Sequence, residues 1–225
     1  MPQPSAPPMG SMAWLVILLL IVSTALATDS KNNPADELVA AINGNRTAHK
    51  SHTLLDNPGL GCLALEYIKA YKGQCDEVGN DKKPPDSSFA DTFAPNCGVE
   101  ATTLTPITGR LLGCQSKYVS PGEAFSDILI QNPKSLQILY DKNHTQVGAA
   151  VSGTDGGAPY FWCVLFSGGK ANNSFTFNGG VAKDVRPGCF SGNNDDCSNA
   201  IRLSRSLFLP AITGVLLALV YAFGL

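Results

Sequence analysis

Few side chains in this sequence are suited to acid–base or metal chemistry. His49, His52 and His144 are the only histidines among 225 residues. His49 and His52 form an H-x-x-H pair, which on a helix can share a face and hold a metal ion. Beside Lys50 and with so unspecific a spacing, the pair reads instead as a solvated helix end. His144 lies in NHTQVGAAV (143–151), inside a sequon and at the opening of a strand-like run. An activated nucleophile needs a nearby base, and only these three residues supply imidazole. There is no G-x-S-x-G elbow, Walker loop, H-E-x-x-H or G-x-G-x-x-G. The neighbouring carboxylates Asp36/Glu37 and Asp76/Glu77 diverge from one another and read as solvated surface, and Asp195/Asp196 sit in a polar stretch near the C-terminus. Neither catalysis nor a cofactor or metal is expected.

The ends of the chain point to the cell surface. AWLVILLLIVSTALA (13–27) is an apolar run followed by small residues, the pattern of a signal peptide over 1–27 cleaved after Ala27. The preceding MPQPSAPPMGSM holds no Lys or Arg, and a start at Met12 gives a more ordinary signal. LFLPAITGVLLALVYAFGL (207–225) is apolar to the last residue and has no basic flank after it. Small residues, a polar spacer and such a tail together specify a glycosylphosphatidylinositol (GPI) anchor. Ser198 is the best attachment residue and Asn194 the alternative, so 191–198 would be stem and 199–225 would be removed. Arg202 and Arg205 are the only basic residues beyond 198, which leaves 14 basic against 18 acidic side chains over 28–198, a net charge of −4. That charge leaves no footprint for nucleic acid.

Seven cysteines occur, at 62, 75, 97, 114, 163, 189 and 197. In a secreted chain, widely spaced and without C-x-x-C, they read as disulfides. A helix over 57–71 carries the chain ~15 Å from Cys62. The residues that follow it barely bring Cys75 back within disulfide range. Cys62 and Cys75 are therefore expected to pair with Cys97 and Cys114 in some order. Two arrangements remain for the rest. Cleavage before Cys197 would leave six cysteines, with Cys163 and Cys189 in the framework; or Cys189 pairs with Cys197 and Cys163 is a buried thiol. Sequons stand at Asn45, Asn143 and Asn172, and each one used marks an exposed site.

The elements that would position these residues follow from pattern. In 34–50, Leu38, Ala41 and Ile42 fall at helical spacing, with Asp36 and Glu37 in the favourable first turn. In 57–73, Leu60, Leu63, Ala64, Tyr67, Ile68 and Tyr71 form one broad stripe. Residues 75–97, rich in Pro, Asp and Ser, read as a long loop. Ser120, Pro121 and Glu123 open a helix that Asn132-Pro133 ends. TQVGAAVSG and APYFWCVLFSG read as a hairpin across TDGG, with SFTF (174–177) as a further short strand. The fold class is α+β, helices packed on an antiparallel sheet in one domain over 28–190.

SPGEAFSDILIQNPKSLQILYDKNHTQVGAAVSGTDGGAPYFWCVLFSGG (120–169) resembles the closing half of the CAP superfamily, the cysteine-rich secretory, antigen 5 and pathogenesis-related-1 proteins. LVAAINGNRTAHK resembles that family's opening helix, with Asn43 and Arg46 in its N-x-x-R. The signal, cysteine and GPI arrangement is similar to that of a group of plant GPI-anchored glycoproteins. The resemblance implies an α-β-α sandwich. It also implies a cleft with two His and two Glu, of which one His position falls on Ser135 and one Glu position on Gln146. Those side chains hydrogen-bond a polar ligand but lack the family's proton transfer and metal affinity. The expectation is a non-catalytic binding module on the outer face of the plasma membrane, held by its GPI lipid, with a receptor or cell-wall ligand as partner. A sterol or lipid carrier, allowed by the resemblance, and an enzyme with an atypical acidic site are the alternatives.

Overall fold

A computed structural model describes residues 33–78, 86–154, 157–169, 175–180, 188–193 and 197. The signal segment 1–27, the attachment candidates Ser198 and Asn194, Asp195/Asp196, the tail 199–225 and the sequon at Asn172 lie outside the described residues. No described helix is long and apolar enough to cross a membrane.

Three helices open with the same dipeptide. In α1 (Pro34–Ala48), α2 (Pro58–Lys69) and α5 (Pro133–Tyr140), an Asn is the N-cap and a Pro takes the first turn. The Asn side chain accepts an otherwise orphaned amide, Ala35 N at 3.0 Å, Leu60 N at 3.2 Å and Ser135 N at 2.9 Å. Proline has no amide to orphan there and holds φ at the helical value. Asn132-Pro133, read above only as a stop, therefore also starts a helix. Upstream of it, α4 (Pro121–Ala124), capped by Ser120, widens into a π-turn over Phe125–Leu129.

Residues 75–97 are not wholly loop. α3 (Asp86–Cys97) buries Phe89, Phe93, Ala94 and Cys97. Those positions have helical spacing, but the polar residues between them and Pro95 disguise it. Phe89 and Phe93 pack on Tyr67 of α2, with ring centroids 4.8 and 5.9 Å away. Cys62–Cys97 ties α2 to α3, and Cys75–Cys114 ties the end of α2 to the sheet, as the reach of the chain required.

The sheet has the order β1 (Leu55–Asp56), β3 (Gln146–Thr154), β4 (Gly157–Ser167), β2 (Ile107–Gln115), with β5 (Cys189–Phe190) also on β3. Strands β3 and β4 form the expected hairpin. Strand β2 adds to β4 antiparallel, but β1 joins β3 in parallel, so the sheet is mixed rather than purely antiparallel. SFTF gives no strand: among its described residues Phe177 makes one isolated bridge, to Val99. Strand alternation splits the core in two. Phe161, Cys163 and Leu165 face α2 and α3, while Trp162, Val164 and Phe166 face α1, α4 and α5 together with Val147, Ala149 and Val151. Helices thus cover both faces of the sheet.

On the α2 side the backbones meet closely. A Cβ on Gly148 would fall on the Gly61 amide and 2.5 Å from the Leu60 carbonyl carbon. A Cβ on Gly61 would lie 2.8 Å from the Ser191 carbonyl oxygen. The glycines of NPGLG and QVGAAV let helix, strand and the 191 segment stack without side chains between them.

Cys163 is a free, fully buried thiol, and Cys189 bonds to Cys197. Including Cys163 in the disulfide framework is therefore corrected. The reason is strand parity: Cys163 faces the α2 layer and Cys189 the α1 layer. Burial pushes the Cys163 thiol up to about 12, which leaves it protonated and inert.

Candidate functional site

Ser135 and Gln146 do not share a cleft. Ser135 is buried in the capping box of α5, its amide and hydroxyl both engaged with Asn132. Helix α5 packs its Leu139 into the α1 layer. Gln146 is 1 % exposed, and its Oε1 accepts from Asn57 Nδ2 at 2.6 Å. Asn57 is the N-cap of α2, on the other side of the sheet. Both residues are parts of helix starts.

His144 is not an exposed sequon residue but is 0 % exposed. Its ring stacks on Phe166 at 4.8 Å, and Nδ1 meets the Thr108 hydroxyl at 2.8 Å. Its Nε2 makes no hydrogen bond of normal geometry. Burial lowers its pKa, the Asp141 charge opposes that shift, and Arg46 reinforces it. Gly109 leaves room for it, since a Cβ there would lie 3.0 Å from Nε2. The His144 carbonyl accepts from His52 Nε2 at 2.8 Å, which fixes the His52 tautomer with its proton on that atom. His49 instead turns back on its own helix, Nδ1 to the Asn45 carbonyl at 2.9 Å. The H-x-x-H pair is thus split between two tasks. Among the described residues no group of three His, Cys, Asp or Glu is placed to hold a metal ion.

Arg46 is also buried, at 0 % exposure. It donates to the carbonyls of His52 (3.0 Å), Leu139 and Asp141 (3.4 Å), so a cation sits on the last carbonyls of α5. Cations are favoured at that end of a helix dipole. Asn43 grips Leu54 through both its amide atoms, at 3.0 and 2.8 Å. The N-x-x-R pattern in α1 is therefore a structural brace.

A perturbed carboxyl lies at the β1/β5 edge. Asp56 is part-buried, and its Oδ1 accepts from the Ser191 hydroxyl at 2.7 Å. The Ser191 Oγ in turn accepts from Ala149 N at 3.0 Å, and Ser191 N donates to the Ala149 carbonyl at 2.9 Å. Gly192 N donates to Asp36 Oδ1 at 2.8 Å. Asn33 Nδ2 donates to the Phe190 carbonyl at 2.9 Å, and the Cys197 sulfur meets Asn33 Oδ1 at 3.2 Å. Burial pushes the Asp56 carboxyl up to about 6; the Ser191 and Asn57 hydrogen bonds oppose the shift and the Asp36 charge adds to it. Such a group exchanges protons near neutrality. The Ser191 hydroxyl is committed to two bonds and stands beside a carboxyl, not an imidazole.

Neither Asp56 nor Ser191 was found by sequence reasoning, and Asp36 was placed on the solvated surface. The available signal was weak: Asp56 stands between a Leu pair and an Asn-Pro helix start, and Ser191 lies two residues after a cysteine. The packing also continues past 190, for Ser191 is fully buried. No family model matches the chain, and no curated protein matches it.

Proposed function

We propose that this chain is a GPI-anchored glycoprotein of the outer cell surface whose CAP-like domain binds a partner and does not catalyse. The observation that supports it best is the engagement of Ser135 and Gln146 in two separate helix caps. In that reading the His/Glu cleft of the resembling family has been converted to scaffold, and recognition falls to the outer surface. The partner is a receptor or cell-wall ligand in the apoplast. Phosphatidylinositol-specific phospholipase C should release the protein from intact cells into the medium. Retention on the membrane, with a control GPI protein released in parallel, would overturn the anchor.

The sugar pattern gives a second test. Asn143 is exposed in a turn. Asn45 lies within α1 and its Oδ1 accepts from the Tyr140 hydroxyl at 2.6 Å. Asn143→Gln should remove one glycan, read as a mobility shift abolished by glycosidase, and Asn45→Gln should leave mobility unchanged. A shift with Asn45→Gln alone would reverse that assignment.

A further inference from the structure

The first and last described residues meet at one corner of the domain. Asn33, the cap of α1, donates through Nδ2 to the Phe190 carbonyl at 2.9 Å, and the Cys197 sulfur lies 3.2 Å from its Oδ1. We propose that this corner, with Tyr118 and Tyr160 beside it, is the face that rests on the lipid headgroups of the membrane, and that the Asn143 end of the domain points away from them. The proposal rests on the anchor reading and deepens it, by naming the surface that the anchor brings to the bilayer.

Two elements measure the domain from that corner. Strand β3 passes it at Val151, which pairs with Cys189, and begins five residues earlier at Gln146, about 17 Å away. Helix α1 starts there at Asn33 and carries the chain about 20 Å to Arg46. Arg46 donates to the Leu139 and Asp141 carbonyls, and His52 to that of His144. The far ends of β3 and α1 therefore meet around 139–146, and the exposed Asn143 is among those residues. A glycan there stands clear of the corner and of any surface the corner touches.

The tyrosines lie at the near end. Trp162 pairs with Val151, which pairs with Cys189, so two strand spacings, about 10 Å, separate Trp162 from Cys189. Tyr118 packs on Trp162 and Tyr160, with ring centroids 5.8 and 5.5 Å away; it is exposed, and Tyr160 is half-buried. Burial raises the Tyr118 pKa and the Glu37 charge adds to the shift, which sets the first turn of α1 beside that ring.

Attachment of the lipid at Asn194 would remove Cys197 and leave Cys189 without its partner, so the proposal takes Ser198. Ser198 is the next residue after Cys197, ~3.8 Å further along the backbone. The glycan of the anchor is a flexible spacer and sets no pose. The pose follows from the chemistry of the face nearest the lipid. A tyrosine has an apolar ring and a hydroxyl tip, which suits it to the headgroup layer, where one end is apolar and the other wet. Leu55 is more exposed than Tyr118 but pairs with Gln146 at the far end.

The test reads the protein's own fluorescence. With the signal removed, Trp162 is the single tryptophan, since the other is Trp14. The mature chain with its anchor is reconstituted into phosphatidylcholine vesicles with and without a nitroxide on the headgroup. Nitroxides quench at short range, and Trp162 lies directly behind Tyr118. Its emission should be lower in the labelled vesicles, and release by phospholipase C should restore it. Each variant is compared with itself in unlabelled vesicles: Tyr118→Ser should weaken the quenching, and Leu55→Ser should leave it unchanged. The wild-type comparison is decisive even if a variant does not fold. Equal emission in both vesicles, from protein that floats with them, would overturn the contact and leave the anchor standing. Quenching lost in Leu55→Ser and kept in Tyr118→Ser would also overturn it, because the far end would then face the lipid. Protein that does not float with the vesicles would overturn the anchor, and the contact with it.

Discussion

Gly148→Ala is expected to be strongly destabilising. The new Cβ would be driven into the Gly61 amide and the Leu60 carbonyl, which are backbone atoms at the start of α2 and cannot rotate away. Helix α2 must lift from β3, and the buried Leu60, Leu63 and Leu65 lose contact as it does. Overpacking in a core costs about 1–3 kcal/mol where side chains can adjust. Here only backbone can move, so a loss above about 3 kcal/mol is expected, measured by urea denaturation. Gly44→Ala is the matched control. Gly44 is exposed on α1 with nothing within 4 Å of its would-be Cβ, and alanine there should stabilise by roughly 0.5–1 kcal/mol. Equal effects at the two sites would show that α2 does not lie on β3 as described.

Arg46→Ala is expected to cost about 3–5 kcal/mol, and roughly 10 °C in melting temperature. It removes the donor for three carbonyls, those of His52, Leu139 and Asp141, and empties a fully buried volume. Burial lowers the Arg46 pKa, with the Asp141 and Tyr140 charges opposing it, yet a guanidinium keeps its proton across the stable range. The loss should therefore be the same at pH 5 and pH 8. Arg46→Met divides the effect: it restores most of the volume and none of the donors. If Met recovers nearly all the stability, the brace works by packing; if it recovers little, the carbonyls carry the cost, as expected here.

Much of this architecture can be read from local chemistry. The helices over 34–50 and 57–73 were visible from the spacing of their apolar residues, and the Ser120 cap and the alternating hairpin because few residues decide each of them. The pairing of Cys62 and Cys75 with Cys97 and Cys114 followed from how far a helix carries the chain. What escaped depends on contacts remote in sequence. Strand β1 exists only because β3 offers it an edge, and Phe89, Phe93 and Ala94 reveal α3 only once Tyr67 is there to receive them. His144 looked exposed since a sequon surrounds it, but the sequon's outward residue is Asn143 and its neighbour points inward. Asp56 and Ser191 are 135 residues apart, and no local pattern links an aspartate to a serine at that distance.

The Cys189–Cys197 bond makes the last described part of the chain a covalent ring. A protease that cuts one peptide bond inside 190–196 opens the ring without dividing the molecule. The domain stays joined to whatever follows Cys197, and shedding takes a second event, either reduction of the bond or a cut outside the ring. A single nick confined to the ring would therefore leave the two sides of the chain covalently joined.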